Sequence, residues 1–228
     1  MRPGPGWLVL AALALAGCAS GNSGREDAGP PDAGEGPDAA PMMRTFVQTT
    51  SDDILVGNSA SCNGGSPLYI HKDNSYYRVF DLPALGVSGA FAVTGVTFGV
   101  DQALSGDGTT QPISVRLHRL SGQPALANLS QLASTTIELA DTEGELHQVP
   151  ITATVPAGAQ LVVEVFSPDG NADGNTFFLG SNTDGETAPV YLAAPDCDVP
   201  DMTPWSTVLS GSGITMHAIL EVSGSFNP

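Results

Sequence analysis

From Met43 onward, apolar and polar side chains alternate along most of the chain, and Gly, Pro, Asn and Asp interrupt the alternation at short intervals. A period of two puts successive side chains on opposite faces of an extended backbone, so this texture predicts strands joined by turns. In Ile113, Ser114, Val115, Arg116, Leu117 and His118 the branched side chains share one face and the polar ones the other. The same holds for Val96, Phe98 and Val100, for Val149, Ile151, Ala153 and Val155, and for Ile214, Met216, Ala218, Leu220 and Val222. Gln160 to Phe166 differs. There Leu161, Val163 and Val165 face one side, while Val162 and Phe166 flank Glu164 on the other, which predicts a central strand. Only Pro124 to Ala133, with Leu126, Leu129 and Leu132, carries helical spacing, and so short a run allows at most one brief helix or turn.

About ten such strands, each with one face to bury, are satisfied by two sheets packed against each other. The expected fold is therefore all-β, a two-sheet antiparallel β-sandwich of jelly-roll type. A membrane barrel needs aromatic girdles, and aromatic residues are 6% of this chain, which argues against one. Tyr76 and Tyr77 are neighbours in one strand and point to opposite faces, so one of the two is expected in the core.

The N-terminal stretch reads differently. Trp7 to Ala16 is an apolar run too short to span a bilayer, and Arg2 precedes it, as in a secretory signal. Leu15, Ala16, Gly17 and Cys18 resemble the lipobox of bacterial lipoproteins. That resemblance implies cleavage before Cys18, acyl chains on the new N-terminal Cys18, and a membrane tether. On this reading residues 1–17 are signal peptide, 18–41 are the lipidated Cys18 and a spacer, and 42–228 are the sandwich domain. From Ser20 to Pro41 no apolar side chain is larger than Ala apart from the prolines, so the spacer cannot bury a core and is expected to be disordered and self-repelling. Ala19 and Ser20 are uncharged, which in Gram-negative lipoproteins accompanies transfer to the outer membrane, facing either the periplasm or the exterior. Cys62 and Cys197 then remain as a pair in an exported protein and are expected to form a disulfide.

The formal charge is −17, and the part after the spacer keeps five Lys/Arg against nineteen Asp/Glu. Such a surface repels phosphate backbones and anionic headgroups, so nucleic acid is not an expected partner, and membrane contact is expected through the lipid anchor alone. The segments SYYRVFDL (Ser75 to Leu82), Gln160 to Asn182 and Gly185 to Cys197 resemble a β-sandwich module of secreted and surface-attached bacterial proteins. The resemblance implies an exported accessory or recognition domain and brings no catalytic residues with it.

Asp169, Asn171, Asp173, Gly174 and Asn175 reproduce the first half of a calcium loop, in which alternating oxygen ligands converge around a glycine turn. Gly180 stands where the second half would place a bidentate Glu. Calcium is thus the one cofactor the spacing suggests, against a plain polar turn in which Asn, Asp and Gly serve backbone geometry. His118, His147 and His217 fall on polar strand faces and are expected to be solvated, since no HExxH or CxxC spacing accompanies them. No GxSxG elbow occurs; Gly86 to Gly89 and Ser210 to Gly213 read as turns. Trp205 follows Pro204 in an irregular segment, and is either an exposed ring for stacking on a ligand or a plug closing one end of the sandwich. The expected function is a cell-envelope lipoprotein displaying a non-catalytic recognition or adhesion module for an extracellular glycan or protein. A structural or assembly subunit of an envelope complex comes second, and a secreted hydrolase third.

Overall fold

The computed structural model describes residues 40–227. Cys18, the signal segment and nearly all of the spacer lie outside the described residues. The five-stranded sheet orders β1 (Met42–Phe46), β13 (Leu220–Phe226), β3 (Phe91–Leu104) and β6 (Thr142–Val155), with β8 (Thr176–Leu179) paired to the far end of β3. The six-stranded sheet orders β11 (Val199–Pro204), β10 (Val190–Ala194), β2 (Asn74–Asp81), β7 (Gln160–Ser167), β4 (Thr110–Leu120) and β5 (Leu129–Ala140). A small third sheet joins β9 (Ser181–Asn182) to β12 (His217–Ala218), and the strand pairings are antiparallel. The fold is an all-β sandwich.

Period-two alternation explains the core directly. Phe91, Val93, Val96, Phe98 and Val100 of β3 face Tyr76 and Phe80 of β2, Leu161, Val163 and Val165 of β7, and Ile113, Val115 and Leu117 of β4 in one buried cluster. Each large side chain buried there contributes about 1.5–3 kcal/mol. As its two apolar faces predict, β7 is central, held between β2 and β4. The helical spacing at Pro124 to Ala133 shrinks to one 3-10 turn, Leu126–Asn128, because Leu129 onward is drawn into the hairpin with β4. Ile214 is half exposed and outside any strand; the chain enters β12 only at His217, after the Gly211 and Gly213 turn.

Tyr76 and Tyr77 depart from expectation, and Trp205 takes one of its two alternatives. Tyr76 and Tyr77 are both buried. The outward face of the six-stranded sheet carries its own apolar cluster of Tyr77, Leu120, Val162, Ala193 and Met202, so opposite faces here do not mean one wet and one dry. The connection from β4 to β5 is tied to β11 by the Leu126 amide, which donates to Asp201 Oδ1 at 2.7 Å. Trp205 is not an exposed ring. It opens the single helical turn α1 (Trp205–Val208), is 1% exposed, and meets Tyr76 edge-on at 5.7 Å, so it closes the core.

One charge sits on the inner side. Arg78 of β2 is fully buried; its Nε and Nη2 donate to Ala218 O, its Nη1 to Ala188 O, and Nη2 lies 3.0 Å from Glu186. It thereby staples β2 to β12 and to the segment before β10. Cys62 and Cys197 are disulfide-bonded, as expected, across 135 residues, joining the long segment after β1 to the turn between β10 and β11. Closing so long a loop removes denatured-state entropy equivalent to about 5 kcal/mol at most.

Candidate functional site

A groove lies on the outward side of the five-stranded sheet. Its floor follows from strand register. Phe178 of β8 pairs with Gln102 of β3, and Gln102 pairs on its other side with Glu143 of β6, so these three side chains form one row across the sheet. β3 has an extra residue relative to β8 between Val100 and Gln102, and that residue is Asp101. Across from it Gly144 of β6 adopts a left-handed backbone, φ +67°, which a side chain rarely tolerates. Bulges re-aim side chains, and this one adds a carboxylate to the row.

Two loop segments wall the groove. The first, Val56 to Ser59, is pinned by the Gly57 amide on Asp101 Oδ1 at 2.8 Å, by the Leu55 amide on Ser181 O, and by the Ser59 hydroxyl on Leu179 O. The second presents Tyr69, whose amide donates to Gly65 O; the Thr176 hydroxyl holds the neighbouring Leu68 O at 3.0 Å. Tyr69 has φ +49°, a conformation uncommon for a bulky residue, and its ring is half exposed at the mouth. The groove is open to solvent and has a volume of about 560 Å³, within the roughly 300–1,000 Å³ of small-ligand sites. Val56, Tyr69 and Phe178 supply apolar surface, while Asp101, Gln102, Glu143 and Ser59 supply polar atoms. Asp101 is 4% exposed. Burial pushes its carboxyl above the usual range, the Gly57 amide pulls it back, and the nearby Glu143 charge pushes it up further.

A second polar cluster lies on the outward face of the other sheet. Glu164 stands on β7 in register with Tyr77 of β2 and Arg116 of β4. Its Oε1 accepts from Ser75, Tyr77 and Arg116 at 2.8, 3.3 and 2.9 Å, and its Oε2 accepts from His118 Nε2 at 2.7 Å. Arg116 also covers the Phe166 ring at 4.1 Å. Burial alone would raise the Glu164 carboxyl, but the His118 hydrogen bond, the Arg116 charge and the Ser75 hydroxyl outweigh it and hold the carboxyl low. With four donors on two oxygens, this carboxylate has little capacity left for a ligand.

The residues suggested by the calcium spacing divide between separate partners. Asp169 Oδ1 accepts from the Asn171 amide and from Asn171 Nδ2, and its other oxygen lies 3.7 Å from Lys72 Nζ. Asn175 is buried and turns its Oδ1 to the Gly106 amide at 3.1 Å, while Asp173 stays exposed. Among the described residues no group of three or more His, Cys, Asp and Glu is placed to hold a metal ion. The three histidines are also apart. His118 is buried on Glu164, His147 stacks on Phe98 at 6.0 Å, and His217 lies 3.5 Å from Glu186.

Sequence reasoning missed Asp101, Glu143, Gln102, Tyr69 and Phe178. One signal was available: after Val96, Phe98 and Val100, two polar residues in succession break the alternation before Ala103, which is how a bulge looks in sequence.

No protein-family model matches the chain, and no curated protein matches it. Among solved structures it is similar to the cysteine protease and lectin-like domains of a surface layer associated protein of Clostridium difficile, at 16% identity and a TM-score of 0.47, covering 68% of this chain and 33% of that one. It is also similar to that clostridial cysteine protease after propeptide cleavage, at 13% identity and a TM-score of 0.47, covering 84% of this chain and 42% of the other. The chain thus spans less than half the length of either structure.

Proposed function

We propose that this chain is a non-catalytic recognition module of the bacterial cell envelope, anchored through acyl chains on Cys18, that binds an extracellular glycan in the groove over Asp101. The groove carries the reading: side-chain acceptors and amides for hydroxyl groups lie beside two aromatic rings, Tyr69 and Phe178, that offer flat surfaces to a sugar. The walls hang from hydrogen bonds to the sheet, so the site is preorganised and ordering it on binding costs little. The acidic spacer would hold the sandwich off the membrane, within reach of polymers outside it.

Retention of the protein on a panel of immobilised extracellular polysaccharides tests the binding claim. Wild type is expected to be retained on at least one, and Tyr69→Ala to lose retention while keeping its melting temperature, since the ring is half exposed. Equal retention of the variant, or stoichiometric co-purification with an envelope protein and no polysaccharide binding, would favour the assembly-subunit reading instead. Incorporation of radiolabelled palmitate into wild type but not into Cys18→Ser tests the anchor.

A further inference from the structure

The five Lys and Arg residues of the domain leave the groove without a cation. Arg44 donates to Leu85 O and lies over Phe46, Lys72 pairs with Asp169, and Arg78 and Arg116 are committed to Glu186 and Glu164. Neither these four nor Arg119 lines the cavity, where two acids, Asp101 from β3 and Glu143 from β6, stand with the Tyr69 phenol as the third titratable group. Asp101 is 4% exposed; one oxygen takes the Gly57 amide, and the other has no protein hydrogen-bond partner among the described residues and opens on the water of the groove. Glu164, by contrast, spends both of its oxygens on protein donors. Asp101 therefore keeps an acceptor free on the side that lines the cavity.

We propose that the groove takes an amino-sugar residue with a free, protonated amine, its ammonium placed between Asp101 and Glu143 and its ring against Tyr69 or Phe178. This rests on the glycan reading above and narrows it. An ammonium supplies up to three donors and one positive charge, so it can replace water on the free Asp101 oxygen and also offset the charge of the two neighbouring acids; a neutral hydroxyl does only the first. Aromatic faces beside the carboxylates add attraction for the same charge. The net negative domain disfavours acidic sugars.

Titration calorimetry of the full chain with short β-1,4 glucosamine oligomers and with their fully N-acetylated counterparts tests the proposal, at a pH just below the sugar amine's own pKa. The free-amine oligomer is expected to bind about tenfold tighter or more, with an advantage that shrinks as salt is added. Glu143→Gln, at an exposed position, and Asp101→Asn, which keeps an acceptor for Gly57, are each expected to erase most of that preference. Equal affinity for the two oligomers, or an unchanged preference in both variants, overturns the amine proposal and leaves the glycan reading standing. Binding of neither oligomer also overturns it; the glycan reading falls with it only if polysaccharide retention is absent as well.

Discussion

Glu164 and Asp101 are both buried carboxylates on the outward sides of central strands, one in each sheet, and the protein treats them oppositely. Glu164 is wrapped by a guanidinium, an imidazole and two hydroxyls, and its carboxyl is held low. Asp101 keeps one backbone donor, faces another acid, and its carboxyl is pushed up. A buried carboxylate whose oxygens are all spent on protein donors belongs to the architecture, whereas one that keeps an oxygen open on a cavity has capacity for something from outside. The same chemistry therefore separates a scaffold carboxylate on one sheet from the carboxylate of the proposed binding groove on the other.

The largest expected effect comes from breaking the satisfied side. Glu164→Ala leaves Arg116, His118 and Tyr77 without their common acceptor, and should cost about 3–5 kcal/mol in chemical denaturation. Trp205→Ala should cost about the same, roughly 3–5 kcal/mol, by opening a cavity against Tyr76; polysaccharide retention should survive at temperatures where the variant stays folded, since this ring lines no part of the groove. Replacing Cys62 and Cys197 together by Ser should cost about 2–5 kcal/mol, read as a lower midpoint without reductant.

The pH dependence of stability should separate the two acids by sign. The Glu164 carboxyl is lower in the folded state than in the unfolded one, so its contribution is present above the ordinary glutamate range and disappears as pH falls through its folded value. The advantage of wild type over Glu164→Gln should therefore shrink on acidification. The Asp101 carboxyl is raised on folding, so ionising it weighs against the fold as pH rises. Asp101→Asn should be the mildest change, within about 1 kcal/mol of wild type, and its relative stability should improve from acid to neutral pH. A loss comparable to that of Glu164→Ala would show that Asp101 is architectural too, and would dissolve the contrast.

The scaffold was largely legible in the sequence and the groove was not, for one reason. Alternation along β3, β4, β6 and β7 reports which face of a strand is apolar, and the doubly apolar Gln160–Phe166 run announced the central strand. What alternation does not report is what lies across from each residue. The partners of Glu164 stand 46 to 89 positions away, and the Phe178, Gln102 and Glu143 row exists only once β8, β3 and β6 are in register. Tyr77 was unreadable because a polar-looking face carries a second apolar cluster. At Trp205 and Asn175, local texture suggested ligands, whereas tertiary packing against Tyr76 and the Gly106 amide had already claimed those two side chains.

Amide chemical-shift mapping of the isotopically labelled protein against a retained polysaccharide, cut to soluble oligosaccharides, tests the central claim most directly. The account predicts shifts that saturate with ligand and cluster at Gly57, Tyr69, Gln102 and Glu143, leaving Ser75, Arg116 and Glu164 unmoved. Saturating shifts centred on the Glu164 face, with the groove silent, would contradict it.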